Sequence, residues 1–187
     1  MRLACGGLDI LVSYREDTDD DLGWGEPVNL GCRINGPFID SCPIYQIEEG
    51  GKKAWLYYAQ SASPDPMTID FRVSAHVIKK NAFTDPRTVR ISGDRGDAHL
   101  DPFHGLIWGI GYPGGVGGSD LWLSIPKENQ RNPIKRWTTP VNLGTDINTT
   151  HEEHMPSATK DGSQLFFMSD RPGGFGGLDI YVARRKR

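Results

Sequence analysis

An internal repeat constrains the fold of this chain more than any other feature of its sequence. An aspartate before a short β-prone run recurs with separations of 61, 50 and 59 residues, at Asp9, Asp70, Asp120 and Asp179. A regular period of this order indicates stacked units, each burying its apolar face against its neighbours. The repeat predicts one domain, residues 1–187, made of units at approximately 6–31, 32–92, 93–144 and 145–187.

A second motif recurs in phase with the aspartates. The segment WGEPVNLGCRIN begins at Trp24 and WTTPVNLGTDIN begins at Trp137, a constant offset of 113 residues. Eight of their twelve positions are identical: Trp, Pro, Val, Asn, Leu, Gly, Ile and Asn. A third copy from Arg87, RTVRISGDRGDAH, is degenerate. Two motifs that keep one spacing predict that the units share one local fold.

Composition and turn signals favour an all-β fold. The chain has 23 glycines and 13 prolines, and no long stretch has helical periodicity. Turn-forming residues between short β-prone runs are typical of proteins built from short strands. Gly50-Gly51 lies between two such runs and predicts a hairpin, as Asp161-Gly162 does near the end of the chain.

Each full unit supplies four short antiparallel strands, which we label A to D in chain order. Four-stranded units repeated around an axis are the blades of a β-propeller. The chain begins at a C strand, continues with D, contains two complete sets, and ends after A, B and C. The count predicts about three to three and a half blades per chain.

A propeller of this size leaves strand edges unpaired. Closed propellers have about four to eight blades, and exposed sheet edges promote association. We therefore expect a homodimer in which two chains of about three blades each complete one ring. The alternative is that the sequence is a fragment of a larger propeller.

The last unit resembles a known repeat. The segment PSATKDGSQLFFMSDRPGGFGGLDIYVARR (156–185), preceded by W-x-x-P-V-N-L-G-x-x-I-N, is similar to the WD40-like β-propeller repeat (PD40) of TolB-type propellers and of cell-envelope proteins with an OmpA-like domain. The resemblance is strong over 137–185, good over 6–43 and loose over 44–125. It implies a protein-interaction or scaffold module, often periplasmic, and it specifies no chemistry.

The candidate ligand site follows from the propeller arrangement. Propeller ligands bind at the mouth of the central channel, which the A strands and the loops entering them line. The alignment of the units places Asp40, His99 and Glu153 in equivalent positions, each three residues before a proline. The expected ligand-binding residues are Asp40, His99, Asp101, His104, His151, Glu153 and His154.

Two functions are compatible with these residues. The favoured one is a non-enzymatic module that binds a protein, or a cell-envelope or sugar ligand, at the channel mouth. The alternative is a carbohydrate-active propeller that, like glycoside hydrolases, uses paired carboxylates drawn from Asp40, Asp101 and Glu153. The histidines of His151-Glu152-Glu153-His154 lack the i, i+4 spacing of a helical zinc site, and no metal or cofactor is expected.

Net charge and hydropathy indicate neither a nucleic-acid partner nor a membrane span. The formal net charge of −3 gives no reason to expect nucleic acid. No run of about 18 apolar residues occurs, so no membrane span is expected. Residues 1–7 lack the apolar core of a signal peptide. The compartment therefore stays open, although the family resemblance suggests the periplasm or cell envelope.

The cysteines number three, and this odd count argues against a disulfide framework. Cys32 and Cys42 would pair if the fold brought them together. Buried free thiols are the favoured interpretation, because a free cysteine behaves as a small apolar residue.

Overall fold

The computed structural model describes residues 5–48, 50–65, 69–89, 97–101, 105–127 and 137–185. Contacts between Cα atoms divide the chain into two compact units, Met1–Arg87 and Thr88–Arg187. We call these the amino-terminal unit and the carboxy-terminal unit. Within the described residues, the sheets of both units consist of antiparallel strands, so the expected all-β class is confirmed.

The amino-terminal unit contains a two-stranded and a five-stranded sheet. The smaller sheet consists of β1 (Leu11–Val12) and β2 (Val28–Asn29). The larger sheet has the order β3 (Asp40–Ile47), β4 (Lys53–Ser61), β5 (Ile69–Val77) and β6 (Ala82–Phe83), and β7 (Arg87–Thr88) also pairs with β5. A 3-10 turn, Ile78–Lys80, and the left-handed Asn81 (φ 44°) reverse the chain between β5 and β6.

The carboxy-terminal unit contains a four-stranded and a three-stranded sheet. The four-stranded sheet consists of β8 (Asp97–Asp101), β9 (Gly105–Ile110), β10 (Asp120–Ser124) and β11 (Val141–Asn142), paired in that order. The three-stranded sheet consists of β12 (Glu153–Ala158), β13 (Gln164–Ser169) and β14 (Asp179–Arg184). The strand count predicted sheets of two, four, four and three strands. The second sheet gains a fifth strand because β6 and β7 both pair with β5.

Each unit has its own hydrophobic core. In the amino-terminal unit Leu56 and Tyr58 of β4 pack with Ile10 and Ile34. In the carboxy-terminal unit Ile107, Leu121 and Phe167 are buried together. The central strands are buried on both faces, which is why β4 and β9 have nearly continuous apolar sequences instead of an alternating pattern.

The repeated aspartate fixes the loop that precedes its strand. In three copies the carboxylate accepts the backbone N–H groups three and four positions before it. The donors are Cys5 and Gly6 for Asp9 (2.8 and 3.1 Å), Val116 and Gly117 for Asp120 (2.5 and 3.0 Å), and Phe175 and Gly176 for Asp179 (2.8 and 3.2 Å). The N–H of Cys5 lowers the pKa of Asp9, because it binds the ionised form. Part of the segment before Asp70 lies outside the described residues.

The second motif forms an asparagine clasp, which we define as residues 27–35 and 140–148. In the second clasp Asn142 donates to Asp120 (2.8 Å) and accepts the N–H of Gly144 (2.7 Å). The Asn148 side chain accepts the N–H of Leu121 (2.8 Å). It also donates to the Leu121 carbonyl (3.0 Å) and to Asn142 Oδ1 (2.8 Å). The φ of Gly144, 80°, favours glycine at this position. These contacts explain why the two asparagines and the glycine are the same in both copies of the motif.

The first clasp makes the same contacts in the amino-terminal unit. Asn29 donates to Asp9 (2.7 Å) and accepts the N–H of Gly31 (2.7 Å), whose φ is 82°. Asn35 accepts the N–H of Ile10 (2.8 Å) and donates to its carbonyl (3.1 Å). The two copies of the motif therefore have one structural role, which is to cover one edge of the strand beside the repeated aspartate, β1 in the first unit and β10 in the second.

The cysteine prediction was wrong. A disulfide joins Cys5 and Cys32, which are 27 positions apart in the sequence, and Cys42 retains its thiol. Cys5 lies in the aspartate loop and Cys32 lies in the first clasp. Since Asp9 binds both segments, the clasp itself brings the two sulfur atoms together.

The predicted turn at Asp161-Gly162 connects β12 and β13. Asp161 Oδ1 accepts the hydroxyls of Thr159 (2.6 Å) and Ser163 (2.8 Å) and the N–H of Ser163 (3.1 Å). The φ of Gly162 is 64°, a conformation that glycine adopts without strain. The aspartate and the glycine thus close the hairpin as expected.

We expect the carboxyl of Asp161 to titrate with a pKa of about 2 instead of 3.8, chiefly because the Thr159 hydroxyl binds its ionised form. A lowered pKa means that this turn contributes stability above pH 3.8, which is lost as the pH falls toward 2. NMR titration of the side-chain carboxyl measures it. Thr159→Val removes the main donor and should move the pKa toward 3.8. An unchanged pKa in the variant would contradict this origin of the shift.

Candidate functional site

An apolar cleft of about 400 Å³ lies in the amino-terminal unit. It is lined by residues of β1, β3, β4, β5 and β6 and by residues that flank them. Leu11, Leu56 and Phe83 contribute apolar surface, and Tyr45 and His76 contribute polar atoms. A concave apolar surface with a few polar groups is the usual form of a binding site.

Three side chains in and beside this cleft form a hydrogen-bonded chain. The Tyr45 hydroxyl lies 2.6 Å from His76 Nδ1, and His76 Nε2 lies 3.1 Å from Asn81 Oδ1. Because an amide oxygen only accepts, Nε2 is the donor to Asn81, and in the tautomer with the proton on Nε2 the Nδ1 atom accepts the Tyr45 O–H. The Tyr45 oxygen, which donates in this pair, can still accept a hydrogen bond from a donor on a ligand.

Packing fixes the imidazole. His76 is buried and stacks on Phe83 of β6, with ring centroids 4.3 Å apart and planes 11° from parallel. The left-handed Asn81 directs the chain back so that Phe83 pairs with His76 across β5 and β6. Burial, together with the nearby Tyr14, raises the pKa of Tyr45 above its ordinary value. Tyr45 therefore stays a neutral hydrogen-bonding group at physiological pH.

The cleft runs along β1, one edge of which has no partner among the described strands. Residues 10–14, which include β1, line it. Among the described strands β1 pairs with β2 alone, whereas the equivalent strand β10 pairs with β11 on one edge and with β9 on the other. The place that the apolar strand β9 occupies beside β10 has no described counterpart beside β1.

Asp40, an expected site residue, is buried at the start of β3. It accepts the N–H of Gly36 (2.7 Å) and the side-chain amide of Gln60 (2.7 Å). Desolvation raises its pKa above the ordinary value. These contacts fix the entry into β3, which is a structural role.

Glu153 has the equivalent place at the start of β12 in the other unit, and its side chain is 0% exposed. It accepts the N–H and hydroxyl of Thr149 (3.0 and 2.6 Å), the hydroxyl of Ser169 (3.0 Å) and the guanidinium of Arg171 (2.9 Å). Asp40 and Glu153 were expected in loops, and both are the first residue of a strand. The strand starts there because each carboxylate binds the incoming loop.

Two of the other expected residues lie beside Glu153 in the sequence and are partly exposed. His151 Nδ1 is 3.6 Å from Asp170 Oδ1, and His154 Nε2 is 3.3 Å from Glu152 Oε2. Each imidazole thus pairs with its own carboxylate on the surface. Within the described part of the chain, no three His, Cys, Asp or Glu side chains are grouped so that they hold a metal ion.

The remaining expected residues belong to or follow β8. His99 is in the middle of this strand and is partly buried. Asp101 is its last residue, and the structure describes its backbone alone. His104 lies outside the described residues. Asp40 belongs to one compact unit and the other expected residues to the other, so a shared site stays a prediction.

Comparison of the chain with protein-family models, with curated proteins and with solved structures finds no match. The resemblance to a propeller repeat therefore stays a prediction. Among the described residues no helix has the length and apolar character needed to cross a membrane.

His76 is one of the five histidines of the chain and was not among the expected ligand-binding residues. The observed strand register explains why the Tyr45 and His76 side chains meet. Tyr45 pairs with Leu56, and Leu56 pairs with Ser74. Paired residues share one face, and a residue two positions along a strand shares it too. With the hairpin at Gly50-Gly51 as a starting point, this register places Tyr45 and His76 on one face.

Proposed function

We propose that this protein is a non-enzymatic binding module that takes an extended polypeptide segment into the cleft of its amino-terminal unit. The observation that carries the proposal is the apolar cleft beside the edge of β1 that no described strand pairs. A polypeptide in strand conformation offers backbone groups to such an edge and apolar side chains to such a cleft. The equivalent position beside β10 is occupied by β9, which is buried along its whole length.

The arrangement of the sheets as four-stranded blades of a β-propeller is part of this proposal. It is supported by the succession of sheets and by the two clasps, which repeat in sequence and in contacts. A binding or scaffold function agrees with the family resemblance stated above. The Cys5–Cys32 disulfide agrees with an oxidising compartment such as the periplasm.

The binding proposal is tested with a synthetic peptide that has the β9 sequence GLIWGI between lysine pairs added for solubility. Isothermal titration calorimetry should show saturable binding to the purified protein. Leu11→Lys places a charge in the cleft and should weaken binding roughly tenfold or more, because the charge loses water when the peptide binds. The matched control is Leu22→Lys, since Leu22 is 92% exposed and is not among the lining residues.

Equal binding by wild type and Leu11→Lys would contradict the proposal. The carbohydrate alternative predicts other results: binding on a glycan array, or turnover of chromogenic glycosides that Glu153→Gln abolishes. Either result would replace the polypeptide ligand with a glycan. The contacts of Asp40 and Glu153 with their own chain give no support to such chemistry.

The homodimer stays a prediction of the strand count. Light scattering on the purified protein tests it, and a mass near twice 20.7 kDa is the expected result. A monodisperse, well-folded monomer would contradict ring closure by a second copy. It would leave the cleft proposal unaffected, because every lining residue belongs to one chain.

A further inference from the structure

The first clasp ends at Asn35, and Gly36 follows it in the one Asn-Gly sequence of this chain. An asparagine before a glycine is prone to spontaneous deamidation, because glycine has no side chain to hinder its backbone nitrogen. This nitrogen attacks Cγ of the asparagine, and the Cγ–Nδ2 bond breaks. The side-chain amino group leaves as ammonia with the proton of the Gly36 nitrogen. One water molecule then opens the five-membered succinimide ring and leaves aspartate or isoaspartate at position 35.

The closed clasp opposes this reaction at both reacting groups. Asn35 is 2% exposed, and its side chain accepts the N–H of Ile10 (2.8 Å) and donates to Asn29 Oδ1 (2.8 Å). The rotation that would bring Cγ to the next nitrogen breaks these bonds. The Gly36 N–H donates to Asp40 Oδ2 (2.7 Å), and this carboxylate opposes loss of the proton that makes the nitrogen a nucleophile. The reaction therefore requires that the clasp first opens.

The second clasp is a matched site with a different following residue. Asn148 is 1% exposed, and the N–H of the next residue, Thr149, donates to the carboxylate of Glu153 (3.0 Å). The two sites thus agree in burial and in hydrogen bonding, and they differ in the residue that follows the asparagine. The branched side chain of threonine obstructs the attack on Cγ. Asn148 is therefore expected to keep its amide even when its clasp opens.

We propose that Asn35-Gly36 is a deamidation site that reacts when the first clasp opens, and that the product no longer supports the closed clasp. The intact side chain donates through Nδ2 to the carbonyl of Ile10 (3.1 Å) and to Asn29 Oδ1 (2.8 Å). A carboxylate at this position has no donor and places a negative charge beside these two acceptor oxygens. The reaction thus makes opening of the first clasp irreversible.

Mass spectrometry of proteolytic peptides measures the reaction in wild-type protein kept in mildly alkaline buffer with and without urea. In urea we expect Asn35 to convert to aspartate and isoaspartate, whereas Asn148 keeps its amide. Without urea the conversion of Asn35 should be roughly a hundredfold slower or more, because it waits for local opening. Gly36→Ala should slow the reaction in urea to the rate at Asn148, a comparison that does not require the variant to fold. Equal rates with and without urea would overturn the inference.

Two matched variants locate the opening step. Asn29→Ala removes an acceptor of the Asn35 amide and the contacts of Asn29 with Asp9 and Gly31. Asn142→Ala removes the same three contacts from the second clasp. Without urea, Asn29→Ala should accelerate conversion of Asn35 roughly tenfold or more, since three hydrogen bonds are lost, and Asn142→Ala should leave the rate close to that of the wild type. Equal acceleration by both variants would mean that global unfolding gates the reaction, and it would overturn the proposed role of the clasp.

Hydrogen exchange tests the effect of the product on the clasp. In Asn35→Asp, the N–H groups that join β1 and β2 should exchange roughly tenfold faster or more than in the wild type, because the Ile10 carbonyl and Asn29 Oδ1 lose their donor. The N–H groups that join β10 and β11 should exchange as before. Equal exchange between β1 and β2 in the variant and the wild type would refute the second part of the proposal. None of these measurements uses a ligand, so they test this inference independently of the proposed function.

Discussion

Replacing Glu153 with alanine is expected to lower the free energy of unfolding by about 3–5 kcal/mol, the largest effect predicted for a single side chain of this protein. Glu153 is the fully buried carboxylate at the start of β12 and pairs with Arg171 at 2.9 Å. Alanine would leave the Arg171 charge, which is mostly buried, without a counterion. A buried pair that loses one partner costs more than the pair contributes.

The surroundings of Arg171 make this charge difficult to relocate. Its guanidinium also donates to the carbonyl of Ile147 (2.7 Å) and lies over the rings of Phe167 and Tyr181, at 4.9 and 4.8 Å from their centroids. These contacts hold the arginine beside the empty carboxylate position. The hydroxyls of Thr149 and Ser169 would lose their acceptor as well.

Urea denaturation followed by circular dichroism measures the loss. Glu152→Ala is the matched control, because the neighbouring Glu152 is 43% exposed and pairs with His154 on the surface. This control should change stability by less than about 1 kcal/mol. A loss of similar size in both variants would show that the buried network around Glu153 contributes little.

Local sequence signals predicted much of the fold. The hairpin turns at Gly50-Gly51 and Asp161-Gly162 were placed correctly, because each supplies the backbone conformations that a tight turn needs. The aspartates and the two Trp-to-Asn segments were recognised as repeats, and their contacts repeat atom by atom. The equivalence of Asp40 and Glu153 was also visible, since both precede a proline by three residues and both begin a strand.

The roles of these carboxylates were not predictable from spacing. Asp40 and Glu153 were placed at a ligand site because the alignment of the units puts both in the loops that enter the A strands. The structure surrounds each of them with donors from its own chain, and these donors come from residues that no repeat marks, such as Gln60 and Arg171. The Tyr45–His76 pair was missed for a different reason. It depends on the register of three strands, which a single-sequence pattern does not fix.

Removing the disulfide with Cys5→Ser and Cys32→Ser is expected to lower the free energy of unfolding by about 3 kcal/mol, because the unfolded chain regains the freedom of the closed loop. The second clasp shows that the fold survives this change. Val116 and Thr145 have the positions equivalent to Cys5 and Cys32, and the asparagine contacts form there without a covalent bond. The double variant should therefore have a lower free energy of unfolding but the same fold.

Denaturation of the wild type with and without reductant, beside the double variant, measures this loss. Cys42→Ser is the matched control and should leave both the disulfide and the reductant effect intact. Thiol labelling before reduction should modify Cys42 alone, and labelling after reduction should modify Cys5 and Cys32 as well. Labelling of Cys5 before reduction would contradict the pairing, since the alternative pair, Cys32 with Cys42, leaves Cys5 as the reactive thiol. The first clasp would then be held by its asparagines alone, as the second one is.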